Sequence, residues 1–528
     1  MPADPRQWLP GRHLAWSVLE QVARMDLSAF ESAYRADGQG GKAYAPAMMT
    51  GLLLYCYCKG LRSSREIEMA TFDDVGARVI CGNLHPDHAS VARFIRRHER
   101  AVCGLLPESV KACAREGLVS LAVVAGDGTK LKASASKTAN VTGQELEAQI
   151  AGLEELIAAD VAVWVAEQLA CDDGDAAGPA PRAGGGDGPG AGGGKKAPKR
   201  AAQTLARRKA ARGQPAARQA ARSDSGQQKL HARAAELADR VARKQAAADT
   251  AMAAARARLD KWQRRQAGAA AQGKKVFGRQ PIGPDADRDV IRTRQQLAKA
   301  RAAAEAAAAA LASVPAPDGA ARVNTTDWAS RVMPLKKGGF GQLVNAQALA
   351  TERSQVILAI LRHDNSTDTG ALHPLLAMAR AVLAAAAITG LIARAVFDAG
   401  YASDANFTAD AGETELYVAL ARESVQAGRG SDGRQPQSAL PSWQDMAARL
   451  DTSQGRAVYK KRAATIEPVF AQLTCRLGRN LNYRGGMIDA ELSLWAASHN
   501  LLKAITARMT RTAGNTRAAQ AAAVPAAA

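Results

Sequence analysis

Apolar positions along this chain fall into three kinds of pattern. The first is a set of short helical runs. From Tyr44-Ala-Pro46 an almost unbroken apolar stretch, AMMTGLLLYCYC, reaches Gly60 and predicts a buried helix stopped by glycine. Ser63-Ser64-Arg65-Glu66 has the spacing of a capping box and opens a second helix. His85-Pro86-Asp87-His88 starts a third, ASVARFIRRHER, in which Val91, Phe94 and Ile95 face a core. Arg93, Arg96, Arg97 and Arg100 take the other side at helical spacing. Residues 1–117 therefore read as an all-helical domain.

The second pattern is the buried strand. Leu118 to Ala125 is apolar and partly β-branched and ends in Gly126-Asp127-Gly128, which predicts a strand stopping at one acidic residue. After Asn324 the pattern returns. Gly338-Gly339-Phe340-Gly341 reads as a turn, and GQLVNAQALA and SQVILAIL as two hairpin strands joined by Thr-Glu-Arg. His363 to Asp368 is a polar loop, and residues 371–389 a helix. Leu391 to Phe397 is another strand ending in an acid, Asp398, and Glu415 to Ala421 a further one. A Gly-rich basic loop (422–440) precedes an amphipathic helix, RAVYKKRAATIEPVFAQLTCRLGR, that carries Glu467. A last helix runs from Asp489 to Arg508.

The third pattern separates the first strand from the rest. Leu146, Ile150, Leu153, Ile157, Val161 and Trp164 recur at steps of three and four, as do Leu230, Leu237, Val241, Ala248, Met252, Ala255, Leu259 and Trp262. With a third helix at 285–312 they predict a helical, coiled-coil-like hairpin inserted into a domain that resumes afterward. Residues 172–228 and 511–528 are low in complexity and predict no fixed structure.

Composition narrows the partners. The net charge is +20 over 528 residues, which favours a polyanion and most simply nucleic acid. No segment reaches the ~18 apolar residues of a spanning helix, and no secretory signal is visible at the N-terminus. Seven scattered cysteines fit a reducing cytosol, and Cys56-x-Cys58, lacking a second pair, reads as core packing rather than a zinc site. His85 and His88 read as capping or surface residues. Short helices ending in an Arg-rich one fit a helix-turn-helix-like DNA reader, although a solvated helix face has the same pattern.

The chemistry rests on acids. Asp127 alone reads more simply as a turn residue, because Asp-Gly is a common turn dipeptide. Asp398 and Glu467 change that weighting. Three convergent carboxylates can hold two Mg²⁺ ions about 3.5–4 Å apart, which activate an oxygen nucleophile and stabilise a leaving 3′ oxygen in phosphodiester chemistry. Lys460, Lys461, Arg462 and Arg476 beside Glu467 suit a DNA backbone. Asp368 and Asp404 are alternative acids, read more simply as a loop residue and a helix cap at Ser403-Asp404.

Seven stretches in order carry a resemblance: YAPAMMTGLLLYCYCKGLRSSREIE, PDHASVARFIRRH, GDGTKLKASAS, TDWASRVMPLKKGGFGQLVNAQA, FDAGYASDANF, YKKRAATIEPVF and LNYRGG…ELSLWAASHNLLK. The chain resembles the DDE transposases of bacterial insertion sequences, in the group with a helical N-terminal domain and a long helical insert after the first catalytic Asp. The resemblance implies an α/β fold: an RNase H-like catalytic core with an all-helical N-terminal domain and a long helical insertion. It divides the chain into a DNA-binding domain (1–117), two parts of the catalytic domain (118–143 and 321–510), the basic insertion (144–320) and a disordered tail (511–528).

It also implies function. Asp127, Asp398 and Glu467 are the catalytic acids and ligands of two Mg²⁺ ions, replaceable by Mn²⁺. Arg93, Arg96, Arg97, Arg100, Tyr459, Lys460, Arg462 and Arg476 contact DNA. The partners are the element's terminal inverted repeats and target DNA, bound by a homodimer in the bacterial cytoplasm at the nucleoid, away from membranes. Tyr459 and Arg462 match the start of a Tyr-x2-Arg-x3-Glu-x6-Lys signature, but Glu467 falls one residue late and Thr474 stands where Lys is expected. Those departures support one alternative, a catalytically inactive DNA-binding structural or regulatory protein derived from a transposase; another, a metal nuclease without strand transfer, uses the same site and differs only in the fate of the 3′-OH.

Overall fold

Strand β1 (Val124–Lys132) has the longest partner in the molecule, β5 (Phe340–Thr351), which pairs with it antiparallel from Val124↔Thr351 to Lys132↔Leu343. The computed structural model describes residues 4–34, 43–172, 197–272, 278–312, 322–335, 338–420 and 440–522. On the other side of β1 lies β7 (Arg394–Phe397), parallel to it, and beyond that β8 (Glu415–Val418), parallel to β7. The far edge of β5 is lined in turn by β4 (Arg331–Pro334) and β6 (Ile357–His363), both antiparallel. The order is thus β6-β5-β1-β7-β8, with β4 sharing β5.

This pairing corrects the first expected strand. Leu118 to Val123 lies outside β1, and the strand runs through Gly126-Asp127-Gly128 instead of stopping there. The reason is the partner: β5 supplies ladder bonds as far as Lys132, so the Asp-Gly step is held extended. The hairpin before β5 turns through Gly338 and Gly339, both with positive φ (91° and 77°).

The N-terminal domain is helical. Its described helices are α1 (Leu14–Val22), α2 (Ser28–Glu31), α3 (Pro46–Cys58), α4 (Ser64–Asp73), α5 (Val75–Ile80), α6 (His88–Arg97), α7 (Glu99–Cys103) and α8 (Leu105–Arg115). Leu52 to Cys58 of α3 are all buried, Cys56 and Cys58 among them. The capping box forms: Ser63 Oγ accepts from the Glu66 N–H while the Glu66 side chain accepts from Ser63 N–H. The third expected helix is broken. His98 leaves helical geometry (φ −108°, ψ 29°) and sits buried among Phe30, Tyr34 and Phe94, so Arg100 belongs to α7 and not to the helix of Arg93, Arg96 and Arg97.

After β1 the chain enters the insertion through β2 (Asn140–Thr142) and returns through β3 (Arg322–Asn324), an antiparallel pair that forms a neck. Between them lie α9 (Gly143–Asp172), α10 (Ala197–Ala211), α11 (Gln214–Ala271) and α12 (Arg288–Ala312). Leu146 and Ile150 of α9 are buried with Ala211 and Val323 at the neck, and Arg212 and Lys209 pair with Glu147 and Glu154 across the two helices. Ala248 and Ala255 of α11, with Val290, Leu297, Ala300 and Ala307 of α12, are buried in the outer hairpin.

Within the stretch expected to lack structure, residues 197–211 and 214–228 are helical, while 173–196 lie outside the described residues. The Ala, Arg, Gln and Lys that make it repetitive are also the strongest helix formers.

The remaining helices cover the sheet. They are α13 (Leu372–Ala385), α14 (Asp404–Thr408), α15 (Pro441–Asp451), α16 (Ser453–Tyr459), α17 (Lys461–Leu477) and α18 (Met487–Ala522). The expected helix around Glu467 is two helices that meet at Lys460. The expected disordered tail is helical to Ala522, continuing α18; residues 523–528, and 421–439 of the basic loop, lie outside the described residues.

Helix α17 packs on β1 and β5, and α18 packs on α3, α7, α8 and β6. The N-terminal domain is therefore fused to the sheet. A Cβ on Gly60 (φ 87°) would stand 2.6 Å from the Arg476 carbonyl oxygen. Arg62 donates to the Asn480 carbonyl (2.7 Å) and lies 3.3 Å from Glu491, a fully buried acid that also accepts from the N–H groups of Asn482 and Tyr483. Burial pushes the Glu491 carboxyl up to about 7.

Candidate active site

Asp127 is the fourth residue of β1, facing Ala348 across the ladder. The glycines beside it make room. A Cβ on Gly126 would stand 2.2 Å from the Phe397 ring, and one on Gly128 2.3 Å from Gln347 Nε2 and 2.8 Å from Asp368 Oδ1. The parallel register of β1 and β7 (Val124↔Ala395, Ala125↔Val396), carried two residues further, sets Asp398 alongside Asp127. Asp398 caps a tight turn, Ala399–Tyr401, by accepting from Gly400 N–H at 2.9 Å.

The two acids feel each other. Burial first, and then the charge of Asp398, push the Asp127 carboxyl up to about 6; the Gly128 N–H (2.7 Å) and Arg462 pull the other way. The Arg462 guanidinium is almost fully buried, with Nη1 3.3 Å from Asp127 Oδ2 and Nη2 3.7 Å from Glu467 Oε1. Lys461, next to it, reaches Glu352 at 2.9 Å and ties the start of α17 to the end of β5.

Of the three expected catalytic acids, then, Asp127 and Asp398 are neighbours, and Glu467 is joined to them through Arg462. Its side chain is 59% exposed on α17. Among the described residues, no three His, Cys, Asp or Glu side chains are gathered closely enough to hold a metal ion.

A fourth acid stands at the site. Asp368, in the loop after β6, takes hydrogen bonds on Oδ1 from Gln347 Nε2 (2.6 Å) and Asn345 Nδ2 (3.0 Å), and its charge adds to the upward push on Asp127. Gln347 in turn accepts from the Tyr401 hydroxyl. The signal was present in β5: Asn345 and Gln347 are buried carboxamides at i and i+2 in a mostly apolar strand that also buries Gln342 and Thr351, and buried polar groups need partners. The other alternative acid, Asp404, opens α14 behind the Ser403 cap and accepts from Ser442 Oγ.

The expected DNA contacts divide. Arg93, Arg96, Arg97 and Arg100 are exposed, but Arg97 is committed to its own domain, donating to the Ala33 carbonyl with its guanidinium 5.2 Å from the Tyr34 ring centre. Lys460 is exposed at the joint between α16 and α17, and Tyr459 is half-buried. Arg476 lies against Gly60 at the seam with the N-terminal domain, where burial pulls its guanidinium down and Nε and Nη2 are out of water. His85 stacks on Phe72 at 4.2 Å, and His88 Nδ1 is 2.7 Å from Glu68.

Residues 4–97 match a family model described as Transposase domain (DUF772), a match that supports a transposase of the insertion-sequence type. No curated protein and no solved structure matches the chain. No helix among the described residues is long and apolar enough to cross a membrane.

Proposed function

We propose that this chain, with a transposase domain at its N-terminus, is a DDE transposase that binds the ends of its own element and catalyses DNA cleavage and strand transfer. The observation that carries the reading is the juxtaposition of Asp127 on β1 and Asp398 just past the end of the adjoining parallel β7, with Arg462 bridging Asp127 to Glu467. The sheet supports it. Counted in chain order and leaving aside the short β4, the core strands β1, β5, β6, β7 and β8 carry Asp127 in the first, Asp398 after the fourth and Glu467 on a helix after the fifth, with the insertion between the first two. That is the arrangement expected of an RNase H-like core.

The donor set of Asp127 and Asp398 fits a divalent, oxygen-loving cation. Both are hard carboxylates, and Asp127 carries negative charge in a desolvated place where Asp398 opposes it. Asp127 and Asp398 would hold Mg²⁺, or Mn²⁺ in its place, with Glu467, which stands beyond Arg462, as the third acid of the set. When bound, Mg²⁺ would supply Lewis acidity toward the attacking and leaving oxygens.

The protein's own contribution is fixed placement. The β1–β7 register sets the two aspartates, Gly400 N–H holds Asp398, and Arg462 balances the charge of Asp127. The reaction is hydrolysis of the phosphodiester at an element end, freeing a 3′-OH, and then in-line attack of that hydroxyl on target DNA. Arg93 and Arg96 on α6 and Lys460 beside α17 offer exposed cations for DNA phosphates. Two ends must be held together, so a homodimer is the working unit.

The test is Mg²⁺-dependent cleavage of a DNA fragment carrying the element's own end. Wild type should cleave, and Asp127→Ala should bind the end without cleaving it; cleavage by Asp127→Ala would sink the site assignment. Glu467→Gln beside them asks whether the third acid is needed despite its spacing. A pre-cleaved end with a free 3′-OH should join to plasmid DNA, and an enzyme that cleaves but never joins is a nuclease instead.

A further inference from the structure

Asp368 is none of the three assigned acids, yet it touches the backbone beside two of them. A Cβ on Gly128 would lie 2.8 Å from Asp368 Oδ1, and a Cβ on Gly400 3.2 Å from Asp368 Oδ2 and 3.0 Å from Asp398 Oδ1. The glycines that follow Asp127 and Asp398 thus both leave space for this one carboxylate.

Its partners form a network with a determined direction. An ionised carboxylate only accepts, so the amides that meet Asp368 must turn their NH₂ groups toward it. Gln347 Nε2 donates to Asp368 Oδ1 (2.6 Å) and to Asn345 Oδ1 (3.0 Å). Asn345 Nδ2 donates to Asp368 Oδ1 (3.0 Å) and to the Asn365 carbonyl (3.1 Å). With its NH₂ so committed, Gln347 presents Oε1 on its other side, where the Tyr401 hydroxyl donates to it. Gln347, Asn345 and Tyr401 are all buried, so no solvent competes for these bonds. Tyr401 closes the turn that begins at Asp398, and its own N–H donates to the Asp398 carbonyl at 3.2 Å.

We propose that Asp368 is a positioning residue: its carboxylate orients the Gln347 carboxamide, Gln347 fixes the Tyr401 hydroxyl, and Tyr401 holds the turn that carries Asp398. The role of Asp398 in DNA chemistry rests on the transposase reading, whereas the relay itself is measurable in the protein without metal or DNA.

The experiment is amide hydrogen exchange of the Ala399–Tyr401 segment in the full, metal-free chain. Asp368→Ala strands two buried amides and should speed exchange there about tenfold, the effect of one lost buried hydrogen bond. Tyr401→Phe breaks the far end and should do the same, and the double variant should be no faster than either single one. Asp368→Asn can still present a carbonyl oxygen to both amides and should exchange like wild type.

Unchanged exchange in Asp368→Ala and Tyr401→Phe, effects that add in the double variant, or an Asp368→Asn as fast as Asp368→Ala would each overturn the relay. Should Asp368→Ala fail to fold, Tyr401→Phe and Asp368→Asn still decide it. Mn²⁺ binding followed by electron paramagnetic resonance gives a second readout, in which Asp368→Ala and Tyr401→Phe each weaken binding about tenfold and Asp368→Asn does not. The two readings fail separately. Cleavage retained in Asp127→Ala would end the site assignment and leave the exchange result standing, while wild-type exchange in both relay variants would end the relay alone.

Discussion

Arg462 Nη1 lies 3.3 Å from Asp127 Oδ2, joining the start of helix α17 to the middle of strand β1 across 335 residues of sequence. Only 5% of the Arg462 side chain and 22% of the Asp127 side chain reach solvent. Removing the cation from such a pair leaves a buried charge without its partner. Arg462→Ala should cost about 3 kcal/mol of folding stability, read from urea unfolding, and should abolish DNA cleavage. Arg462→Lys keeps the charge and loses the fork that reaches both acids, so it should recover stability more than activity.

The raised carboxyl of Asp127 makes a pH-dependent prediction. Its folded value of about 6 lies above the ordinary 3.8, so the folded protein binds this proton more tightly than the unfolded chain. The resulting destabilisation is absent below pH 4, grows between pH 4 and 6, and is complete above that, on the order of 3 kcal/mol. Asp127→Asn has no such proton. Relative to wild type, the variant should therefore be more stable at pH 7.5 than at pH 4.5, in urea unfolding without divalent ions. An equal difference at both pH values would count against the raised carboxyl.

Gly126 and Gly128 are required by contact rather than by backbone angle. Neither has a positive φ, but added Cβ atoms would stand 2.2 Å from the Phe397 ring and 2.3 Å from Gln347 Nε2. Gly126→Ala and Gly128→Ala should each lower stability by about 1–3 kcal/mol, the cost of overpacking a filled interior. Gly128→Ala also displaces the Gln347–Asp368 contact, so it should reduce cleavage more than its loss of stability alone explains. Thermal melts beside cleavage rates check both statements.

The arginines of α6 should separate into two classes. Arg93 and Arg96 are exposed, and replacing either by Ala should weaken end binding and lower the salt slope by about 1 each, with folding unchanged. Arg97 holds the Ala33 carbonyl and lies over Tyr34. Arg97→Ala should lower the melting temperature of the N-terminal domain. A salt slope unmoved by Arg93→Ala and Arg96→Ala together would remove α6 from the DNA interface.

Much of the fold was legible because its signals are local. The Ser63–Glu66 capping box, the apolar α3 and the start of α6 at His85-Pro86-Asp87-His88 need only residues within a turn of one another. Asp398 was legible for the same reason: the apolar run of β7 ends where the Asp398 turn begins. Errors came where a distant partner overruled local preference. The Asp-Gly step at 127 looks like a turn, yet β5 holds it extended. The helix of Arg93 breaks before Arg100 because His98 is drawn into an aromatic cluster with Phe30, Tyr34 and Phe94. Arg476, read beside Glu467 as suited to a DNA backbone, lies against Gly60 at a seam between domains.

The sequence by itself determined the helical N-terminal domain, most of the apolar strands and the helical insertion, and it offered three acids through a resemblance to DDE transposases. Hydrophobic period and caps act over a few residues and survive in the linear order. Only the tertiary structure decided which of the acids meet. It set Asp398 beside Asp127 through strand register, interposed Arg462 before Glu467, and brought Asp368, read more simply as a loop residue, to both. Period states which face of an element is buried, but not which other element covers it. Convergence at a site depends on that second choice, and the packing of the whole sheet makes it.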